Sequence, residues 1–418
     1  MRLKGEIHLP GDKSIAHRAA LFSSLGTQSA VFENYPASAD CLATIGCLRD
    51  MGVQVKLEEN RLQINGVDLF GLREPDRALD AKNSGTTMRL LSGILAAQKF
   101  ASRLFGDQHL NRRPMGRIIK PLRQMGADLA AVDDQFPPLQ FQPVDVLNGI
   151  DYELPVASAQ VKSCILLAGL HAEGKTSVIE PVPTRDHTER MLHLRKERLN
   201  DGRIRIVSDR TVEIGDLSMR IPGDFSSAAF FIIGALLLPE SLCVIKNVSL
   251  NPTRTGLLDI LMRMGAQIEA HGIREFPEPA GDITVSYRKL QGISLEGNII
   301  ANIIDEIPIL AILATGAEGR FSVRGAAELR VKETDRIRAV CQNLKMLGVE
   351  IEEYEDGFSL EGPQRMKGGR VTSFGDHRIA MAFGIAALAS EAEIQIDNPD
   401  CVNVSFPGFW QMLKQLTN

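Results

Sequence analysis

The 418-residue chain repeats one arrangement of polar and apolar positions: a small polar or charged opening, then an apolar helix rich in Ala and Leu. Six stretches have this form. They are GDKSIAHRAALFSSL from Gly11, KNSGTTMRLLSGILAA from Lys82, ASAQVKSCILLAGL from Ala157, GDFSSAAFFIIGALLL from Gly223, IDEIPILAILATG from Ile304 and GDHRIAMAFGIAAL from Gly375. Three units fit between Gly11 and Gly223 and two between Gly223 and Gly375, a repeat of roughly 70 to 76 residues. A second recurring element closes a helix with Gly: LRDMGV at Leu48, LRQMGA at Leu122, LMRMGA at Leu261 and LKMLGV at Leu344. In each, Gly suits the left-handed position after a helix, and an apolar strand follows. The copy expected near residue 195 is degraded to HLRKERLNDG (His193 to Gly202), and near the C-terminus the motif gives way to Phe406-Pro407-Gly408-Phe409. Alternating stretches at Arg2 to Leu9, Leu62 to Ile64, Ile204 to Val207 and Ile283 to Ser286 read as strands. Each unit thus reads strand, helix, strand, helix, strand, and six α/β units of this size suit two domains of three units each.

Composition adds limits. Hydrophobic residues make up 44% and charged residues 24%, as in ordinary globular proteins. A net charge of −5 and a pI near 6.0 argue against a nucleic-acid partner, so any anion site has to be local. The six cysteines form no C-x-x-C pair and sit mostly in apolar helical patterns, which reads as buried thiols in a cytoplasmic protein. The apolar runs are too short to span a bilayer, and residue 1 leads directly into the first strand, so no membrane contact or leader peptide is expected.

Polar clusters interrupt the apolar units. Gly11-Asp12-Lys13-Ser14 opens a helix whose unpaired N–H groups favour anions, with Ser14 and Arg18 one turn apart on one face. A capped amphipathic helix with solvated basic residues accounts for the same letters. Asn83-Ser84-Gly85-Thr86-Thr87 offers backbone N–H groups with no side chain at Gly85. The run from Asn111 to Arg117 begins a helix for which Pro114 suits the first position, and Arg112 or Arg113 could chelate a carboxylate or phosphate. Ser158-Ala159-Gln160 brings a hydroxyl and an amide to another helix start. In Val331-Lys332-Glu333-Thr334-Asp335-Arg336, helical spacing sets Lys332 over Arg336 and Glu333 beside it. Asp305-Glu306 interrupts an otherwise apolar stretch, where a carboxylate needs a partner or a task. Gly375-Asp376-His377-Arg378 repeats the opening idea with a titratable His. No complete phosphate-binding loop, dinucleotide fingerprint, metal spacing or nucleophile elbow is found. The residues therefore read as an enzyme without metal or nucleotide cofactor that binds small polyanions between two repeat-built domains.

The ordered set LPGDKSIAHR, NSGTTMRLLSG, NRRPMGRIIKPL, SAQVKS, TRDHTERML, the Asp305-Glu306-Ile307-Pro308 helix start, VKETDRI and GDHRIAM resembles the 5-enolpyruvylshikimate-3-phosphate synthase family along essentially the whole chain. The resemblance implies an α/β fold of two similar domains, each of three βαβαββ repeats, the inside-out α/β barrel of enolpyruvyl transferases. The boundaries read as 14–222 for one domain and 1–13 plus 223–418 for the other, with the active site in the cleft between them. It implies a cytoplasmic, monomeric enzyme of the shikimate pathway, and hence of chorismate and aromatic amino acid biosynthesis, inhibited by glyphosate. The implied reaction transfers the enolpyruvyl group of phosphoenolpyruvate to the 5-hydroxyl of shikimate 3-phosphate, through a tetrahedral ketal and with no cofactor. On matching positions, Lys13, Asp305 and Glu333 carry the catalysis, and 28 positions separate the two carboxylates. Lys13, Ser14, Arg18, Ser158, Ala159, Gln160, Arg185, Asp305 and Lys332 match shikimate 3-phosphate contacts. Lys13, Gly85, Arg113, Gln160, Arg336, His377 and Arg378 match phosphoenolpyruvate contacts.

Some positions depart from the family pattern. Val404 stands where some members carry Lys, Glu328 where some use Asn, Ala159 where many have a second Ser, and Leu90 where some glyphosate-sensitive members have Pro. The charged 193–202 stretch puts the neighbouring Arg185 contact in question. The rival is the sister transferase acting on UDP-N-acetylglucosamine. It opens with Lys-Asn where Lys13-Ser14 stands here, and it uses a loop Cys that residues 101–120 lack.

Overall fold

The computed structural model describes residues 1–275 and 277–417 and divides the chain into two units. One is the continuous stretch Gly11–Ile221, and the other joins Met1–Pro10 to Pro222–Asn418. Lys13 therefore belongs to the same unit as the helix it opens, and the chain changes unit at Pro10/Gly11 and at Ile221/Pro222.

In the Gly11–Ile221 unit, three four-stranded sheets share one plan. Leu79–Asp80, Ser102–Phe105, Phe136–Phe141 and Leu129–Val132 lie side by side in that order. The first pair is parallel and the others antiparallel. The parallel pair needs a crossover, supplied by the buried helix Gly85–Leu95. The third sheet repeats this with Asp151–Glu153, helix Ala159–Gly169 and Thr176–Glu180, then the strands Arg195–Arg198 and Ile204–Ser208. The first sheet is permuted: helix Lys13–Leu25 leads into Ser29–Glu33, but the parallel edge beside it is Met219–Arg220, from the far end of the unit.

The other unit follows the same plan. Its first sheet joins Lys4–His8, from the start of the chain, in parallel to Leu242–Ser249, after helix Phe225–Leu237. The second is built from Ser294–Leu295, Gly319–Val323, Gly357–Gly362 and Ile351–Tyr354 around helix Ile307–Ala314. The third keeps the parallel pair Gly369–Val371 and Ile394–Ile396 around helix His377–Ala389.

Four of these helices cross over between parallel strands of one sheet; with Lys13–Leu25 and Phe225–Leu237 they are the six apolar stretches of the sequence. Apolar on nearly all sides, they are buried, and each unit has its own continuous apolar core. Five of their openings are capped as the small polar residues suggest, and helix Ile307–Ala314 opens after Glu306 without a side-chain cap. Asp12, Ser84, Ser158 and Asp224 accept from the N–H three residues on, and Asp376 accepts from that of Arg378. The capped starts are thus the same segments that the sequence offers as anion sites.

The helix-closing glycines take left-handed backbone, with φ of 85° at Gly52, 98° at Gly126, 100° at Gly265 and 80° at Gly348. Each turn carries the same two bonds, as in Gly52 N–H to Arg49 O and Val53 N–H to Leu48 O. The copy read as degraded is present one turn earlier. His193, at φ 50°, donates to Arg190 O and Leu194 donates to Glu189 O, so a histidine holds the glycine position. Two further expectations are corrected. Pro114 lies before the helix Gly116–Gln124, separated from it by Met115, because a 3-10 turn at Leu110–Arg112 comes first. Lys332 and Glu333 lie in the loop between the 3-10 turn Ala327–Val331 and helix Arg336–Met346, whose N-cap is Asp335, so no helical face aligns them with Arg336.

Candidate active site

In the Gly11–Ile221 unit the helix starts bring basic and hydroxyl groups together. Lys13, the first residue of helix Lys13–Leu25, donates from Nζ to Asp40 Oδ2 at 2.6 Å, and both side chains are largely buried. Asp40 opens helix Ala39–Asp50 and was not singled out from the sequence. One turn beyond Ser14, Arg18 is 2% exposed and donates to Ser14 O at 2.9 Å, Thr188 Oγ1 at 2.8 Å and Ser163 Oγ at 2.7 Å. It thereby ties three helices together and places its charge beneath the Ser158 start, as a held cation rather than a solvated one.

Gly85 and Gln160 open adjacent helices that approach closely because position 93 is glycine. A Cβ there would lie 2.2 Å from Cys164 O. Across this contact Arg89 donates to Gln160 Oε1 at 2.7 Å, and Gln160 Nε2 donates to Thr86 Oγ1 at 2.9 Å. Arg113 donates to Asn83 Oδ1 at 3.0 Å. A Cβ on Gly85 would meet Arg89 Nη1 at 2.8 Å and Arg113 Nη1 at 3.5 Å, so two guanidinium groups converge on this helix start. Arg89 is a second residue that the sequence reading passed over; its signal was an Arg one turn after Gly85 in an otherwise apolar helix. Ser158 and Ala159 are half-buried beside Gln160, and Arg185 is half-buried in the loop before helix His187–Met191. Beneath them Lys162, fully buried, is held by Glu180 at 2.9 Å and Glu189 at 2.6 Å. Burial alone would pull its pKa down, but the two carboxylates outweigh it and hold it above the ordinary range.

The second unit assembles the carboxylates. Asp305, in the break between helices Ile299–Ile303 and Ile307–Ala314, is surrounded by cations. Arg336 Nη1 lies at 3.4 Å, Arg378 Nη2 at 3.8 Å and Lys332 Nζ at 4.0 Å, and Arg378 also donates to Asp305 O at 3.1 Å. Arg336, 1% exposed, binds Glu333 Oε2 at 2.6 Å and Asp376 Oδ2 at 2.8 Å. Burial would lower its pKa, yet Asp376, Glu333 and Asp305 together raise it, so Arg336 stays charged. Glu333 keeps about a third of its side chain exposed beside this buried cation. His377, buried, is the first residue of helix His377–Ala389, next to Arg378. The helical spacing that fails for Lys332 and Glu333 is thus unnecessary: the loop delivers both to Arg336 and Asp305. Glu328 lies in the 3-10 turn before them, and Val404 ends a 3-10 turn, Pro399–Val404, near the C-terminus.

Each unit therefore carries a cluster of cations suited to multiply charged anions, and the second adds two carboxylates of unequal exposure. Such sets can move protons on a bound anion by acid–base chemistry. Among the described residues no group of three or more His, Cys, Asp or Glu is arranged to hold a metal ion.

Known proteins share this chain from end to end. A family model described as EPSP synthase (3-phosphoshikimate 1-carboxyvinyltransferase) matches residues 1–413. A 3-phosphoshikimate 1-carboxyvinyltransferase of Solibacter usitatus is 48% identical over 415 residues, covering 99% of this chain and 97% of that protein. One of Bacillus subtilis is 45% identical over 418 residues, with 99% and 97% covered. A solved structure of EPSP synthase from Acinetobacter baumannii superposes with a TM-score of 0.88 at 42% identity, covering 99% of this chain and 96% of that one. The enolpyruvyl transferase NikO of Streptomyces tendae shares the fold, with a TM-score of 0.76 at 17% identity. The repeat plan, the six polar helix starts and these matches agree: the chain belongs to the EPSP synthase family.

Proposed function

We propose that the protein transfers the enolpyruvyl group of phosphoenolpyruvate to the 5-hydroxyl of shikimate 3-phosphate, releasing phosphate. The observation that carries this is the Asp305 carboxylate set among Lys332, Arg336 and Arg378, with Glu333 on the same Arg336. In the addition step, the 5-hydroxyl oxygen bonds to C2 of phosphoenolpyruvate, its proton leaves toward Asp305, and C3 gains a proton from Glu333. The tetrahedral ketal then loses a proton from C3 as the bond from C2 to the phosphate oxygen breaks. The double bond reforms, giving the enolpyruvyl ether and inorganic phosphate. Lys13 contacts both anions and stabilises the charge that develops on the departing phosphate.

In this reading Ser14, Arg18, Ser158, Ala159, Gln160, Arg185 and Lys332 hold shikimate 3-phosphate. Gly85, Arg113, Arg336, His377 and Arg378 hold phosphoenolpyruvate, and Gln160 touches both. Both clusters then serve one pair of substrates. Glyphosate competes at the Gly85–Arg113 end, and the enzyme acts as a cytoplasmic monomer. No helix among the described residues is long and apolar enough to cross a membrane.

A phosphate-release assay tests the proposal. With shikimate 3-phosphate and phosphoenolpyruvate the protein should release phosphate, and Asp305→Asn and Glu333→Gln should each lower kcat by roughly 10²–10⁴-fold, the range for a lost acid–base group. Release with UDP-N-acetylglucosamine and none with shikimate 3-phosphate would assign the sister reaction instead. An unchanged rate in both variants would remove the two carboxylates from the mechanism.

A further inference from the structure

One turn below the helix starts of the Gly11–Ile221 unit runs a chain of polar side chains that are fully buried and contact neither cluster of cations. His17 Nδ1 lies 2.7 Å from Thr44 Oγ1, which lies 2.7 Å from Thr87 Oγ1; Thr87 donates to Ser84 Oγ at 2.8 Å. All four residues have 0% exposure. Each belongs to a helix that opens on the site. His17 is one turn after Lys13, Thr44 one turn after Asp40, and Thr87 follows Gly85 and its N-cap Ser84 in the next helix. The bond His17–Thr44 is thus a second rung beneath the ion pair Lys13–Asp40.

With Thr87 as donor to Ser84, and to Asp40 O at a longer 3.4 Å, one proton order satisfies the whole chain. Thr87 has one hydroxyl proton and gives it to Ser84, so it accepts from Thr44. Thr44 has then used its own proton and accepts from His17, which carries a proton on Nδ1. His17 Nε2 has no hydrogen-bond partner among the described residues, as suits the bare nitrogen of a neutral ring. Burial pushes the ring's pKa down to about 3; Asp40 opposes this, and Lys13 and Arg18 add to it. A buried polar chain is tolerated in a core only when its members satisfy one another, and a closed one holds its elements in a single register.

We propose that His17, Thr44 and Thr87 are positioning residues that lock the helix starts bearing Lys13, Asp40 and Gly85 in register for the transfer step. The inference rests on Lys13 and Gly85 acting as the site residues proposed above. Each helix start binds its own anion with its own cation and N–H groups, so slippage between helices spares binding. It displaces the Lys13 ammonium from the reacting carbon, and misplacement of about 1 Å costs on the order of 10²-fold in rate. The expected signature is a fall in kcat with little change in KM.

The test is steady-state kinetics on Thr44→Val, Thr44→Ser, His17→Leu and His17→Asn, each checked for folding by circular dichroism. Thr44→Val and His17→Leu should lose at least about tenfold in kcat, with KM for both substrates within about threefold of the parent protein. Thr44→Ser and His17→Asn, whose amide nitrogen takes the place of Nδ1, should restore most of it. Folded Thr44→Val with unchanged kcat and a lower melting temperature would make the chain merely structural and overturn the proposal; so would a rise in KM alone. If the valine and leucine variants do not fold, kcat of Thr44→Ser and His17→Asn near the parent value supports the proposal, and a tenfold loss in both overturns it. Nitrogen NMR of His17 in the intact protein provides a readout that needs no turnover: a proton on Nδ1 and none on Nε2 at neutral pH is expected, and the reverse tautomer overturns the chain. Absence of activity in the parent protein would instead remove the function on which this rests.

Discussion

A side chain at Gly85 would have to share its space with Arg89 and Arg113. Because the nearer neighbour is the tip of a flexible side chain, Gly85→Ala should fold normally while turning Arg89 away from Gln160. On the proposal that Gly85 and Arg113 hold phosphoenolpyruvate, losing one charge-assisted hydrogen bond there predicts a rise in KM for phosphoenolpyruvate of roughly tenfold or more, with KM for shikimate 3-phosphate much less affected. Initial-rate kinetics on the single variant check this; equal shifts in both constants would speak against the assignment. His17 makes a different prediction, about stability. Its folded pKa of about 3 lies below the unfolded value of 6.5, so below pH 6.5 the unfolded chain takes up a proton that the native ring refuses. The contribution of His17 is therefore complete above pH 6.5 and is lost as pH falls from there toward 3, at about 1.4 kcal/mol per unit. Between pH 7 and pH 5 the loss is about 2 kcal/mol. Urea denaturation at both values should show it in the parent protein and show less in His17→Asn, whose amide does not titrate.

At the scale of elements, what could be read from the sequence followed from what a local pattern can carry. The six buried helices were legible because they are apolar where surface helices alternate, and the helix ends were legible wherever the left-handed position held Gly. The fifth end was hidden because His193 occupies that position. Left-handed backbone is a poor place for a residue with a Cβ, costing roughly 1–2 kcal/mol. His193→Gly should therefore raise the melting temperature without altering turnover, the gain being on the order of 1 kcal/mol after the histidine's own contacts are lost. Calorimetry would decide, and an unchanged or lower melting temperature would show that those contacts outweigh the backbone strain. The family resemblance supplied the catalytic roles of Lys13, Asp305 and Glu333; Asp305 was legible because carboxylates interrupt an apolar run there, and Lys13 and Glu333 were legible because charged clusters open or precede apolar helices. Asp40, Arg89, Thr44 and Thr87 were not, because each owes its importance to a neighbour 27 to 71 positions away in the chain, across a helix–helix contact that no periodicity encodes. The loop from Lys332 to Asp335 shows the opposite case: its residues were legible, but its helical geometry was not, because Asp335 caps the helix and leaves Lys332 and Glu333 outside it.

At the scale of the whole molecule, the two units differ in how the chain closes them. Gly11–Ile221 contains in one stretch every strand of its three sheets, including the edge Met219–Arg220 that completes the first. The other unit borrows its first strand: Lys4–His8 pairs with Leu242–Ser249, and Leu3, Ile7 and Leu9 are buried at 0%, 3% and 3% exposure in its core. Burying three such side chains is worth roughly 1.5–3 kcal/mol each, about 5–9 kcal/mol together. That is comparable with the entire 5–15 kcal/mol that typically separates a folded domain from its unfolded chain. Residues 11–221 expressed alone should therefore unfold cooperatively, whereas residues 222–418 alone should show a broad, weak transition. The missing strand can be returned from the other end. Leu416 lies against Gly5, where a Cβ would be 3.3 Å from its side chain, so a short Gly-Ser linker can join the C-terminus to residues 1–10. This permuted chain should recover a sharp transition in denaturant, because the strand and its three apolar side chains are restored without any part of Gly11–Ile221. A transition equally sharp with and without residues 1–10 would show that the first strand contributes little to the unit it completes.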